Sequence, residues 1–173
     1  MHTWRADRFV ILRGLLAAAL AVFAASALAD DGQGAASGVR DDGVALPAFP
    51  RSSGLLPVPL DLPDYPFKLS IDPAALSVGP HGVVRYTVVL TSHSGARNVF
   101  YEGVNCFTGH YKRYAFGTSD GHFERQSDAT WKRIYERGGQ DYLYQFYNFF
   151  LCNPSIGPLP RHQILQRIMY QSR

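Results

Sequence analysis

The stretch Gly82–Gly117, GVVRYTVVLTSHSGARNVFYEGVNCFTGHYKRYAFG, constrains this chain more than any other. Val84, Tyr86, Val88 and Leu90 fall on one face, and Arg85, Thr87 and Thr91 on the other. A period of two marks a strand with one buried side. Ser92-His93-Ser94-Gly95 is small and polar with a glycine, which suits a hairpin connection. A second β-rich run follows from Arg97 to Cys106, Thr108-Gly109 breaks it, and a third runs from Tyr111 to Phe116. These segments predict three antiparallel strands in a meander.

The flanking segments add elements at both ends. Leu55–Pro66 carries Pro57, Pro59, Pro63 and Pro66, a spacing that favours extended backbone, with Leu56, Val58, Leu60 and Leu62 along the domain. Phe67 to Ile71 alternates and predicts a short edge strand; Asp72-Pro73 starts a turn or a brief helix ending by Leu76. Gly79-Pro80-His81-Gly82 is a turn into the main strand. After the meander, Thr118-Ser119-Asp120-Gly121 turns the chain, and Trp131–Tyr135 predicts a fourth strand with Trp131 anchoring the core. Asp141 caps a helix in which Leu143, Phe146, Tyr147, Phe150 and Leu151 recur at helical spacing, and Asn153-Pro154 ends it. A second, narrower stripe is Ile164, Leu165, Ile168 and Met169. The expected fold class is α+β: an antiparallel meander of about four or five strands with the Asp141–Leu151 helix packed on one face.

Residues 1–29 have the pattern of a secretory signal peptide. Arg5, Arg8 and Arg13 form a basic region, Gly14–Ala25 an apolar run too short to span a bilayer comfortably, and Ala27-Leu28-Ala29 a small-residue cleavage site. Cleavage is expected after Ala29, placing the mature chain in the periplasm with no membrane span. The leader holds three of the 17 basic and one of the 14 acidic residues, so the mature chain carries 14 and 13. That balance does not suit a polyanion, and no nucleic-acid partner is expected. Residues 30–54 are rich in Asp, Gly, Ala and Ser and are expected to form a flexible linker. The expected domain covers 55–155, and 156–173 a helical tail. Cys106 and Cys152 are the two cysteines, and an even count in an exported chain suggests a disulfide.

The segment LSVGPHGVVRYTVVLTSHSGARNVFYEGVNC, followed by KRYAFG, resembles the CNP1-like family, small exported proteins of Gram-negative bacteria. The tract Asn148-Phe149-Phe150-Leu151-Cys152 looks like that family's second cysteine site. The resemblance covers Leu55 to Pro154. It implies export, the cysteine pair and a single domain, and it brings no catalytic residue with it.

Glu102 is the most informative polar residue. By alternation it shares a face with Phe100, Val104 and Cys106, which points it inward. A buried carboxylate must be paired or shift its pKa upward. The structural role is an ion pair with Arg85 or Arg113 on a neighbouring strand; the functional role is an acid/base or ligand anchor working with Arg113 or His110. Tyr142, Tyr144 and Phe149 fall off the helical stripe, and such aromatics can line a glycan site. His81, His93, His110, His122 and His162 show no ligand spacing: His81 and His93 end one strand, roughly 35–40 Å apart by strand rise. No metal site and no cofactor motif is read. Lys112-Arg113-Tyr114-Ala115-Phe116 lacks the glycines of the RNA-binding strand motif it otherwise resembles. The expectation is a non-catalytic envelope module whose partner is a protein or a glycan, with an enzyme using Glu102 as the alternative.

Overall fold

The computed structural model describes residues 43–135 and 141–171, all within the unit Gly32–Arg173. The expected signal peptide and its expected cleavage after Ala29 lie outside the described residues. Among the described residues an antiparallel sheet has seven strands: β1 (Leu56–Pro57), β2 (Phe67–Val78), β3 (Val83–Ser92), β4 (Arg97–Asn105), β5 (His110–Gly117), β6 (Phe123–Arg125) and β7 (Lys132–Arg133). The order is β1 through β6 in sequence, with β7 also pairing with β5. The meander and the α+β class hold, but four or five strands understates the count. The extra strands are two or three residues long, too short for alternation to reveal.

β2 corrects a second expectation. Asp72-Pro73 neither turns the chain nor starts a helix; the strand continues to Val78. Proline has no N–H for the ladder, and a bulge absorbs it. Asp72 pairs with Thr87, and the next pairing is Ser77 with Arg85. The bulge carbonyls are taken up by a side chain: Arg161 Nε donates to Leu76 O at 3.0 Å and Nη2 to Pro73 O at 2.7 Å.

One face of the sheet carries the main core. Leu69, Ile71, Val84, Tyr86, Val88 and Val104 are buried there, as the alternation requires. They meet α1 (Asp141–Gln145) and the turn Phe146–Leu151, which is π-helical rather than a continuation of the α-helix. The Cys152 N–H reaches back to Tyr147 O, five residues away, as a π turn demands. The wider turn rotates the buried stripe. Leu143, Phe146, Phe150 and Leu151 are buried as expected, Tyr147 is only half-buried, and Tyr142 goes inside. Phe146 packs edge-on against Tyr86 with ring centroids 5.0 Å apart. α2 (Arg161–Gln171) adds Ile164 and Ile168 to the same core, while Met169 of the expected stripe is 47% exposed.

The other face has a smaller cluster. Tyr101, Tyr114 and Ala115 bury together, with Val44, Leu46 and Phe123 against them. Tyr114 and Ala115 share this face because the β4–β5 register shifts there: Tyr101 pairs with Ala115, whereas Glu102 pairs with Arg113. From Val44 onward the expected linker therefore lies on the sheet, and Arg125 Nη2 donates to Val44 O at 2.7 Å. The proline segment is also pinned. The Gln145 side-chain amide exchanges two hydrogen bonds with the Asp61 backbone, at 2.9 and 2.7 Å. Trp131 does not anchor the core; it is partly buried, and Ile134 takes that place after a two-residue β7. No described helix is long and apolar enough to cross a membrane.

Candidate functional site

Glu102 lies midway along β4, opposite Tyr86 on β3 and Arg113 on β5. Alternation turns its side chain toward the core, and it is 0% exposed. Four donor groups converge on the carboxylate. Arg113 donates from Nε at 3.0 Å and from Nη2 at 2.8 Å, both to Oε1. The Tyr86 hydroxyl lies 3.3 Å from Oε2, and the Tyr142 hydroxyl 3.2 Å from both oxygens. The Arg113 guanidinium sits 3.6 Å from the centre of the Phe100 ring, so its flat face is covered while one edge serves Glu102.

Burial pushes the Glu102 carboxyl above its ordinary value, while the Arg113 charge and the bonds from Arg113, Tyr142 and Tyr86 pull it back. Burial, then the Glu102 charge, holds both phenols well above the ordinary tyrosine range. Burial works against the Arg113 charge, but the carboxylate outweighs it and keeps that pKa above its usual value. The phenols are therefore donors and the guanidinium a cation at any physiological pH. The four groups bonded to Glu102 are all donors, and the residue is wholly buried.

The two cysteines meet a few residues away. Cys106 and Cys152 form a disulfide with Cα atoms 5.5 Å apart, joining the residue after β4 to the residue after the π turn. The sealed carboxylate and the bridge thus fix the same helix to the same strand. Over residues 36–169 the sequence matches the CNP1-like family. The chain belongs to that family. The match extends past Leu55–Pro154 at both ends, consistent with Val44, Leu46 and α2 lying on the domain. No curated protein and no solved structure matches it.

Not every candidate of the CNP1-like chain joins this cluster. Arg113, not Arg85, is the partner of Glu102. Arg85 lies on the opposite face, 5.8 Å from the centre of the Tyr114 ring, because it precedes Tyr86 by one residue. His110 is set apart as well: it pairs with Asn105, and its Nδ1 lies 2.8 Å from Thr108 O. Tyr142 is 3% exposed and directs its hydroxyl to Glu102, so it cannot line an open glycan groove. Tyr144 is half-buried against the core. Among the described residues no group of three His, Cys, Asp or Glu could hold a metal ion. Tyr86 and Phe100 complete the cluster, and sequence reasoning did not single them out as site residues. Their shared face with Glu102 was the available signal.

Proposed function

We propose that this CNP1-like protein is a non-catalytic binding module of the cell envelope, periplasmic after cleavage following Ala29. The leader pattern supports export. The disulfide fits an oxidising compartment. The observation that carries the non-catalytic role is the complete enclosure of Glu102 by Arg113, Tyr86 and Tyr142. The most acid/base-like residue of the chain has its bonding capacity spent on neighbouring strands and α1. Recognition then falls to the surface, and an envelope protein or a glycan is the class of partner that an exported chain of near-neutral balance meets.

The test is capture in intact cells. A tagged chain carrying its own leader is cross-linked in the envelope and its adducts are identified by mass spectrometry. A recurrent partner is expected, and folded Glu102→Gln should recover it equally, since the amide keeps an oxygen toward Arg113. Loss of the partner in a folded Glu102→Gln variant would transfer the role to an active site.

A further inference from the structure

The sheet edge beside Arg113 is open in a specific way. β6 ends at Arg125 and β7 begins at Lys132, so the loop 126–131 borders the middle of β5. Gln126 N–H at its start donates to Tyr114 O, and past β7 the Ile134 N–H donates to Gly109 O, both at 2.9 Å. Beneath the loop lies a recess of about 30 Å³, lined by Tyr111, Arg113, Gln126, Ala129, Thr130 and Lys132.

We propose that this recess binds a single carboxylate group, as carried by a small monocarboxylate. The inference rests on the binding-module role and names its site. Two of the six lining side chains, Arg113 and Lys132, are cations, and Thr130 adds a hydroxyl donor. On the loop, the Asp128 carboxylate accepts from Gln126 Nε2 at 3.3 Å. Size selects further. A water needs roughly 10–15 Å³ of such space, so the recess suits two oxygens better than the four of sulfate or phosphate. Arg113 is also held before any ligand arrives. Its inner edge is fixed by Glu102 and its face by Phe100, yet the side chain remains 32% exposed. A planar cation held in place from behind is suited to a carboxylate in front, and little ordering cost remains to be met on binding.

The experiment is a ¹H–¹⁵N NMR titration of the mature protein with sodium acetate, against sodium chloride and sodium sulfate at matched ionic strength. Acetate should give saturable shifts of the Arg113 Nε–H and of the Thr130 and Lys132 amides, and the two control salts should not. Lys132 is exposed on a two-residue strand, so Lys132→Ala leaves the fold intact. Losing one charged donor should weaken acetate about tenfold. Shifts that do not saturate, equal shifts with sulfate, or an unchanged midpoint in Lys132→Ala would overturn the site. Failure of acetate binding with partner capture intact removes this recess and leaves the module role standing. Acetate binding without any captured partner does the reverse.

Discussion

Arg113→Met isolates the feature on which the centre of this fold depends. It removes the counter-charge of a fully buried carboxylate and leaves an unbranched apolar side chain at that position. Two unit charges about 4 Å apart attract by about 4 kcal/mol at the effective dielectric of a protein. Breaking a buried pair from one side costs about 3–5 kcal/mol, because the remaining charge has lost its compensation. The asymmetry favours this side of the pair as the probe, since Arg113 reaches solvent and Glu102 does not. The cost must also depend on pH with a definite sign. Glu102 already sits above its ordinary value of 4.5 through burial, and Arg113 is the first influence holding it down. Without Arg113 the folded pKa rises further. A carboxyl with a raised folded pKa binds its proton more tightly when folded, so its contribution is fully present below 4.5 and is lost as pH climbs through the folded value. The gap between wild type and Arg113→Met should therefore be widest at about pH 8 and close on acidification. Each pH unit between the two folded values contributes about 1.4 kcal/mol. Urea unfolding of both proteins from pH 8 to 4.5 measures this directly. A loss below about 1 kcal/mol at pH 8, or a gap that does not change with pH, would refute the buried-pair account.

Three further outcomes are open to the same assay. Cys106→Ser opens a link of sequence separation 46 and should cost about 4 kcal/mol in the chain-entropy model, a loss reproduced by reduction of the wild type. Phe150→Ala removes a buried ring from the π turn and should cost about 3–5 kcal/mol; a loss near zero would mean that the face is not packed as described. Thr87 is wholly buried and its Oγ1 has no hydrogen-bond partner, so Thr87→Val should stabilise by about 1 kcal/mol, whereas destabilisation would reveal a bond that the hydroxyl makes in solution.

The strands that alternation could reveal were legible, because their inward residues are apolar over eight or more positions. Glu102 was legible for the same reason, as a charge on an apolar face. Its choice of Arg113 over Arg85 depends on register, and both arginines lie on strands adjacent to β4. Once Tyr86 pairs with Glu102, Arg85 must point to the far face. Tyr142 lies four residues before Phe146, at the edge of the stripe, and its inward turn is fixed by the Glu102 carboxylate on a strand 40 residues away in sequence. Pro73 was read as a break because a bulge that tolerates proline has no local signature. The ordered stretch from Val44 was hidden by a linker-like composition. Val44, Leu46 and Phe49, which pack there, recur at neither a strand nor a helix period.

The cluster at Glu102 also does something the apolar pattern cannot. A slip of one residue between β3, β4 and β5 would turn the whole apolar set outward and is excluded by burial alone. A slip of two residues keeps every side chain on its face, so burial does not oppose it. Such a slip would move Glu102 from Arg113 to Tyr111, and from Tyr86 to Val84 or Val88, leaving a buried carboxylate without its cation. The polar cluster thus distinguishes arrangements of nearly equal apolar burial. The double variant Glu102→Leu with Arg113→Met tests this. Replacing a buried pair by apolar side chains is commonly neutral or stabilising by about 1–4 kcal/mol, so the melting temperature should hold or rise. The amide spectrum of β4 and β5 should instead show more than one set of resonances, as registers two residues apart become populated. A single native set of cross-strand contacts in the double variant would mean that the hairpin turn and the Cys106–Cys152 bridge fix the register without help from the charge pair.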